Sequence, residues 1–144
     1  MATALAEIVH GSCVCMMHTQ TAILFRGKSG AGKSDLTLRM IHLGAELVAD
    51  DQVVITKKAK AAIASPPPKL QGLLEVRGVG IVKLPFLKSA PLALVVDLVE
   101  RNKIERLPEH RSVKLAGIEI PCVALHAFDA SAPEKVMSAF QVLA

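Results

Sequence analysis

The fold of this chain is decided by the stretch Gly27-Lys28-Ser29-Gly30-Ala31-Gly32-Lys33-Ser34. It matches G-x-x-x-x-G-K-[ST], the pattern of a loop that binds the phosphates of a nucleoside triphosphate. An apolar run, Thr21–Phe25, leads into the loop, and a helical pattern over 35–43 leads out of it. This context fits, because the phosphates bind free backbone N–H groups at the N-terminus of a helix. Every residue of the loop is therefore predicted to contribute to nucleotide binding.

Two side chains of the loop have specific predicted contacts. Lys33 is expected to reach the β- and γ-phosphates, and the hydroxyl group of Ser34 is expected to coordinate Mg²⁺. The alternative is a glycine-rich turn between a strand and a helix that binds nothing. The match at every fixed position, in the right context, favours the phosphate-binding loop.

Composition limits the class of protein. A chain of 144 residues that is 51% hydrophobic is expected to form a single domain, spanning 1–144, with a substantial core. Aromatic residues make up 3%, too few for the base-stacking surfaces of single-stranded nucleic acid binders. The net charge of +4 suits a phosphate-bearing ligand or an acidic partner, but no dense Lys/Arg cluster indicates nucleic acid binding.

Location is predicted from three features of the sequence. No apolar run reaches the length of a membrane span, and the first residues do not resemble a secretory signal. The odd number of cysteines, which are Cys13, Cys15 and Cys122, indicates reduced thiols in a cytoplasm. A metal site formed by Cys13 and Cys15 with His10 and His18 is the alternative, but a second ligand pair at zinc-like spacing is missing.

The secondary structure pattern is that of many short strands and few helices, an α/β fold with a β-rich sheet core and flanking helices. Helices are predicted at Ser34–Leu43, which Gly44 ends, and at Pro133–Leu143, with a further short helix at 124–129. The segment 65–68 is predicted to be a stiff connector without strand structure. Ten strands are predicted; they lie at 4–9, 12–17, 22–26, 46–49, 53–56, 72–76, 81–84, 92–98, 112–115 and 118–122.

Proteins with a phosphate-binding loop need an acidic residue near the loop to hold Mg²⁺ or to activate the acceptor. Two predicted strands of this chain end in an acidic residue. The run Leu92–Asp97 is the better match to a generic Walker-B strand. The run Leu47–Asp51 ends in two adjacent carboxylates, Asp50 and Asp51, which can divide the tasks of holding metal or water and accepting a proton. A turn between strands is the alternative explanation for the paired acids.

The segment 73–82 also carries charges in an apolar context. Glu75 and Arg77 alternate with apolar residues, so they are predicted to share one strand face, where Glu75 could coordinate Mg²⁺ and Arg77 could neutralise phosphate. Surface ion pairing explains the same pattern equally well. Gly78 and Gly80 indicate a hairpin or a bulge.

Taken together, these segments resemble the catalytic domain of HPr kinase/phosphorylase, in the short form that lacks the N-terminal domain. The resemblance covers nearly the whole chain and is strongest from His10 to Val82. It is carried by His10-Gly11, by Gly27–Asp35, by Leu47–Asp51, and above all by 73–81, which is very similar to the family's signature. The resemblance implies a fold related to that of carboxykinases, with a phosphate-binding loop.

The resemblance also implies the site and the reaction. ATP would donate its γ-phosphoryl group to a serine of the phosphocarrier protein HPr or its nitrogen-branch paralogue, with Asp51 as general base. His10 would lie beside the transferred phosphate, and Lys33 would neutralise the phosphates. Ser34 and Glu75 would serve Mg²⁺, and Arg106 would match a later catalytic arginine of the family.

Two further properties of the family are implied less directly. Members that also dephosphorylate HPr carry an R-P-G-R-like stretch, whereas Ile120–His126 contains no arginine here. Kinase activity is therefore expected, and phosphorylase activity is left open. A homo-oligomer is implied, with a hexamer as the family's usual assembly, whereas a membrane partner is not expected. The alternative functions are a small-molecule kinase and a non-catalytic nucleotide sensor.

Overall fold

The computed structural model describes residues 6–144. The strands are β1 (Ala6–His10), β2 (Ser12–Met16), β3 (Thr21–Arg26), β4 (Glu46–Ala49), β5 (Gln52–Lys58), β6 (Ala61–Ser65), β7 (Leu73–Val76), β8 (Gly80–Lys83), β9 (Ala90–Leu98), β10 (Arg111–Leu115) and β11 (Ile118–Leu125). The helices are α1 (Lys33–His42) and α2 (Ala132–Leu143), with short 3₁₀ turns at Pro68–Leu70 and Arg101–Lys103. Neither α-helix of this part of the chain is long and apolar enough to cross a membrane.

One mixed sheet of nine strands organises the fold. Its order is β1-β5-β6-β9-β3-β2-β4, and the β10–β11 hairpin joins it where β11 pairs with β9. Strands β3, β9 and β11 run parallel to one another, and β4 shares their direction because β2 is antiparallel to both β3 and β4. The carboxyl ends of these four strands therefore meet at one edge of the sheet, where α/β proteins usually bind ligands.

Strand β3 is buried because both of its faces are covered. Ala22 and Leu24 contribute to an apolar cluster with β5, β6 and the β10–β11 hairpin. Ile23 and Phe25 contribute to a second cluster with α1 and α2. This arrangement explains the continuous apolar run that precedes the phosphate-binding loop.

Both predicted main helices are confirmed. Helix α1 starts one residue before the predicted position, and Gly44 follows it with φ +105°, a conformation that favours glycine. Ser131 is the N-cap of α2, and the predicted apolar stripe of this helix packs on the body through Val136 and Phe140. The predicted residues 4 and 5 of the first strand lie outside the described residues.

Three predictions of secondary structure are wrong. The short helix expected at 124–129 does not form, because its first two residues complete β11 and turns follow. Strand β6 was not expected, since Ala61–Ser65 is rich in alanine, which has a low β-propensity. Its pairing with β5 and β9 imposes the strand, and it includes Ser65, which had been assigned to a strand-free connector.

Candidate phosphoryl-transfer site

The phosphate-binding loop connects β3 to α1 at the ligand-binding edge of the sheet. Gly30 and Gly32 have φ values of +84° and +97°, which side chains disfavour. Gly32 also allows a close approach, because a Cβ atom there would lie 2.7 Å from the Cβ of Ala127. The ammonium group of Lys33 donates to the carbonyl oxygens of Gly27 (2.7 Å) and Lys28 (3.0 Å), so it lies across the mouth of the loop.

A cleft of about 620 Å³ opens in front of this loop. The predicted site residues that line it, besides the loop itself, are His10, Asp51, Glu75 and Arg77. Asp50, Ser12 and Phe128 also line it. Residues that are far apart in the sequence are thus brought together around the loop. Arg106 does not line the cleft; it is exposed in the segment between Arg101–Lys103 and β10, and its catalytic role stays a prediction.

Asp50 is the buried member of the acidic pair. Its Oδ1 atom accepts hydrogen bonds from the hydroxyl groups of Ser12 (2.6 Å) and Ser34 (2.8 Å). Its Oδ2 atom accepts from the backbone N–H of Glu75 (3.2 Å). A single carboxylate therefore joins β2, the phosphate-binding loop and the β7–β8 hairpin, and it orients the hydroxyl group that is predicted to coordinate Mg²⁺.

Asp51, in contrast, is exposed to the cleft. It follows β4 with φ +71°, a left-handed conformation that aspartate tolerates better than most residues. Its carbonyl oxygen accepts a hydrogen bond from Gly11 (3.1 Å), which fixes the turn against the end of β1. Its Oδ1 atom lies 3.9 Å from Nδ1 of His10, and both side chains are mostly exposed. An accessible carboxylate beside a histidine is well placed to accept a proton.

The β7–β8 hairpin contributes Glu75 and Arg77 to the lining of the cleft. Glu75 is an exposed residue of β7 and its backbone is held by Asp50. Arg77 lies in the turn that follows β7, which ends at Val76, but like Glu75 it is exposed and lines the cleft. Gly78 in this turn has φ +88°, which explains the glycine.

Asp97, the acid of the Walker-B-like strand, forms ion pairs with Arg26 and Arg111. It accepts two hydrogen bonds from Arg26 (2.8 and 3.0 Å) and one from Arg111 (3.0 Å). Burial alone would raise the pKa of Asp97, but the hydrogen bonds and charge of Arg26 outweigh burial and hold it below its usual range. The thiol of Cys122 also donates to Asp97 (3.4 Å). Asp97 thus supports the fold beside the loop.

The three cysteines are free and buried, and two of them, Cys13 and Cys15, lie two residues apart in β2. Burial, together with the neighbouring Cys15, raises the pKa of Cys13 far above its usual range. Burial and the charge of Asp97 raise the pKa of Cys122 to about 11. The thiolate forms that bind metals or react are therefore disfavoured.

The oxygen groups near Ser34 fit a magnesium ion. Among residues 6–144, no three His, Cys, Asp or Glu side chains are grouped as ligands for a metal ion. Mg²⁺ is commonly bound through one or two protein carboxylates, and phosphate oxygens and water fill most of its other positions. The Ser34 hydroxyl, with the carboxylates of Asp50 and Glu75 close to the loop, is a donor set of this kind.

Two features of the site were not found by sequence reasoning. Asp50 was predicted only as one of a pair of acids, because its burial depends on contacts with Ser12 and Glu75, which are distant in the sequence. Phe128 was missed, because no sequence signal connects the loop after β11 to the phosphate-binding loop. Both residues reach the cleft only through the order of strands in the sheet.

Comparison with known proteins identifies the relatives of this chain. Residues 2–140 match the family model described as the HPr Serine kinase C-terminal domain. The chain is 34% identical over 132 residues to HPr kinase/phosphorylase of Chlorobium phaeobacteroides (strain DSM 266 / SMG 266 / 2430), which covers 83% of this chain and 40% of that protein. It is 40% identical over 111 residues to the protein of the same name from Bordetella petrii, covering 69% of this chain and 35% of that protein.

Among solved structures, the HPr(Ser) kinase/phosphatase from Coxiella burnetii superimposes with a TM-score of 0.82 and 22% sequence identity, over 94% of each chain. This likeness confirms the fold predicted from the sequence. The chain spans about 40% of the length of the curated relatives that it matches.

Proposed function

The chain belongs to the family of HPr serine kinase C-terminal domains, and from that premise we propose that it transfers the γ-phosphoryl group of ATP to a serine of an HPr-like phosphocarrier protein. One observation carries the proposal. Lys33 and Ser34 of the phosphate-binding loop share a single cleft with Asp51, His10 and Glu75, which come from other elements. A loop that only bound a nucleotide would not need an accessible carboxylate at the phosphate end of the cleft.

The chemical step is the attack of the acceptor hydroxyl on the γ-phosphorus. The bond between the new oxygen and phosphorus forms as the bond to the β–γ bridging oxygen breaks, and ADP leaves. Asp51 accepts the hydroxyl proton, and His10, 3.9 Å away, is placed to interact with that carboxylate and with the phosphoryl group. Lys33 exchanges its bonds to the carbonyls of Gly27 and Lys28 for bonds to the phosphates.

Most of the catalytic effect is expected from positioning and from charge neutralisation. Ser34, Asp50 and Glu75 would hold Mg²⁺, which when bound neutralises charge on the phosphates. Asp50 orients the Ser34 hydroxyl through a 2.8 Å hydrogen bond whose donor is the hydroxyl, so the lone pairs of that oxygen stay available. Arg77, in the hairpin turn that lines the cleft, is a further cation for the phosphates.

We also propose the wider setting that the family relationship supports. Residues 1–144 would act as a single catalytic domain, since one sheet of nine strands includes both β1 and β11, the first and last strands of the described residues. The domain would work in the cytoplasm and as a homo-oligomer. The acceptor would be HPr or its nitrogen-branch paralogue, and transfer to the protein, rather than its reversal, would be the main activity.

The experiment is transfer of label from [γ-³²P]ATP and Mg²⁺ to purified HPr and to its paralogue. Wild type should label one of them on a serine, and Asp51→Asn should not, while both proteins bind ATP equally. Acceptor variants with that serine replaced by alanine are the matched control. Wild-type protein that binds ATP but labels neither carrier would refute the proposal. Label found instead in a panel of small hydroxyl metabolites would identify a small-molecule kinase.

A further inference from the structure

The chain contains an exposed phenylalanine directly beside the phosphate-binding loop. Of the four phenylalanines, all of them within the described residues, only Phe128 is mostly exposed, at 55%. It lines the cleft, and its ring packs on the backbone of the loop: a Cβ atom at Gly32 would lie 3.0 and 3.2 Å from the ring carbons Cζ and Cε1. Its place in the cleft, rather than its exposure alone, makes Phe128 a candidate contact for a ligand, because ligand sites are commonly lined by aromatic side chains.

The order of strands places Phe128 on the side of the loop opposite to the acids. Along the sheet the sequence is β11-β9-β3-β2-β4, with the loop after β3 in the middle. Asp50 and Asp51 follow β4 on one side, and Phe128 follows β11 on the other. A nucleotide whose γ-phosphate points towards Asp51 therefore extends its base towards Phe128.

The backbone of the Phe128 loop is anchored by Arg39 of α1. The guanidinium group of Arg39 donates to the carbonyl oxygens of Ala127 and Asp129, on either side of Phe128. It is itself held by an ion pair with Asp35 (3.2 Å) in the first turn of the same helix. The loop is thus tied to the helix whose N-terminus would bind the phosphates.

Neighbouring side chains hold the loop from the other side. Asp129 pairs with Arg101 (2.6 Å) and with Lys135 (3.2 Å). The ring of His126 meets the Phe128 ring in a T-shaped contact with a centroid distance of 5.8 Å, and Nδ1 of His126 donates to the carbonyl oxygen of Val99 (2.9 Å). The backbone on either side of Phe128 is therefore held by side-chain contacts, and its ring packs against His126 and the phosphate-binding loop.

We propose that Phe128 forms the base subsite of the cleft, on which the purine ring of ATP stacks. The inference rests on the proposed function, because it assigns the base end of the same nucleotide. A purine presents an apolar aromatic face of the size that Phe128 offers, and stacking on a preordered ring avoids an ordering cost. Recognition by stacking is tolerant of base identity, so ATP and GTP should both bind.

The test distinguishes the contribution of the base to binding from the contribution of the phosphates. Binding of Mg²⁺-ATP and of Mg²⁺-tripolyphosphate, which has no base, is measured by calorimetry for wild type, Phe128→Ala and Phe128→Leu. Replacing an aromatic residue that stacks on a base with alanine commonly lowers the affinity for the nucleic acid ligand by about 5- to 150-fold. Phe128→Ala should lose ATP affinity by such a factor, Phe128→Leu by less, and both should keep tripolyphosphate affinity within about two-fold. Met17→Ala, at a similarly exposed apolar residue away from the cleft, is the control and should change neither.

A tryptophan reporter gives an independent readout. The chain has no tryptophan or tyrosine, so Phe128→Trp places a single indole at the proposed subsite. Its fluorescence should change on addition of Mg²⁺-ATP and stay constant with Mg²⁺-tripolyphosphate. In steady-state transfer, Phe128→Ala should raise the KM for ATP with little change in kcat, because the base is remote from the reacting atoms.

The outcomes distinguish this inference from the proposed function. Wild-type ATP binding that Phe128→Ala leaves unchanged would overturn the base subsite alone. The same holds if Phe128→Ala raises the KM for the acceptor protein and not for ATP, which would assign Phe128 to acceptor docking. Wild type that binds neither ligand would overturn the proposed function, and the subsite with it.

Discussion

The two adjacent aspartates are predicted to separate stability from catalysis. Asp50→Asn removes a buried charge that accepts three hydrogen bonds, whereas Asp51→Asn changes a side chain that is 66% exposed. Asparagine is the right substitution at both positions because it has the same shape. At Asp51 it also tolerates the left-handed backbone, with φ +71°.

The stability lost in Asp50→Asn can be estimated from the groups that donate hydrogen bonds to Asp50. The backbone N–H of Glu75 cannot rotate, so the single oxygen of asparagine is expected to stay with it, and the new NH₂ group would face the hydroxyls of Ser12 and Ser34. Each hydroxyl group must then rotate so that it accepts a hydrogen bond from the NH₂ group. The stronger hydrogen bonds to a charged carboxylate are replaced by weaker bonds to a neutral amide. A hydrogen bond to a charged group contributes about 1.5–3 kcal/mol, against about 1 kcal/mol for a neutral pair. The expected loss is about 2–4 kcal/mol, or roughly 5–15 °C in Tm for a chain of this size.

At Asp51 the same substitution should change stability by less than about 0.5 kcal/mol. Its close polar neighbour, Nδ1 of His10, lies 3.9 Å away, beyond hydrogen-bond distance. The kcat of phosphoryl transfer, however, should fall by about 10²–10⁴-fold, the typical contribution of a general base.

Thermal unfolding followed by far-UV circular dichroism is the suitable assay, since the chain has no tryptophan or tyrosine to report by fluorescence. Asp50→Asn should lose both stability and activity, and Asp51→Asn activity alone. An Asp50→Asn variant as stable as wild type, or an Asp51→Asn variant as destabilised as Asp50→Asn, would refute the division of roles.

Two further substitutions and one labelling experiment test the site and its support. Lys33→Ala should weaken ATP binding about 10- to 100-fold by calorimetry, because a charge-assisted contact to phosphate is lost; unchanged affinity would contradict the loop assignment. Asp97→Asn should lower the free energy of unfolding at pH 7 by about 1–3 kcal/mol while ATP binding is kept. Because the pKa of Asp97 is lowered by folding, its stabilisation is present above the unfolded pKa of about 3.9 and is lost as the pH falls below it. The stability gap between wild type and Asp97→Asn in denaturant titrations should therefore shrink as the pH is lowered below about 3.9, and a constant gap would argue against the ion pair with Arg26. Cys122, whose pKa is raised to about 11, should resist thiol reagents at pH 8 until the protein is unfolded, and rapid labelling of folded protein would contradict its burial.

Local patterns predicted the elements that carry strong sequence signals. The phosphate-binding loop, β3 and α1 follow from a fixed motif in the right context, and α2 follows from its apolar period and its N-terminal proline. The acid at the site was harder to assign, because Asp97 ends the more apolar strand. The ion pair with Arg26 explains why Asp97 is not free to act in the cleft. Arg26 lies beside Asp97 on β3, and this pairing becomes visible only when the two strands are placed in register.

The remaining features depend on contacts between distant segments. Strand β6 exists because β5 and β9 offer edges on either side of an alanine-rich segment. Phe128 reaches the loop because β11 adds to β9, which no local pattern encodes. The burial of Asp50 likewise requires Ser12 and Glu75 to be brought together from either side of the loop in the sequence. Sequence reasoning therefore identified most of the chemical groups, and the sheet topology determined their neighbours.

The most direct test is a crystal structure of the protein with Mg²⁺ and a non-hydrolysable ATP analogue. We expect the ammonium group of Lys33 to have left the carbonyls of Gly27 and Lys28 for the β- and γ-phosphates. We also expect a carboxylate oxygen of Asp51 to lie within about 7 Å of the γ-phosphorus, the reach of one bridging hydroxyl group. A γ-phosphate that points away from Asp51, or an analogue bound outside the loop, would contradict the assignment of this cleft as a phosphoryl-transfer site.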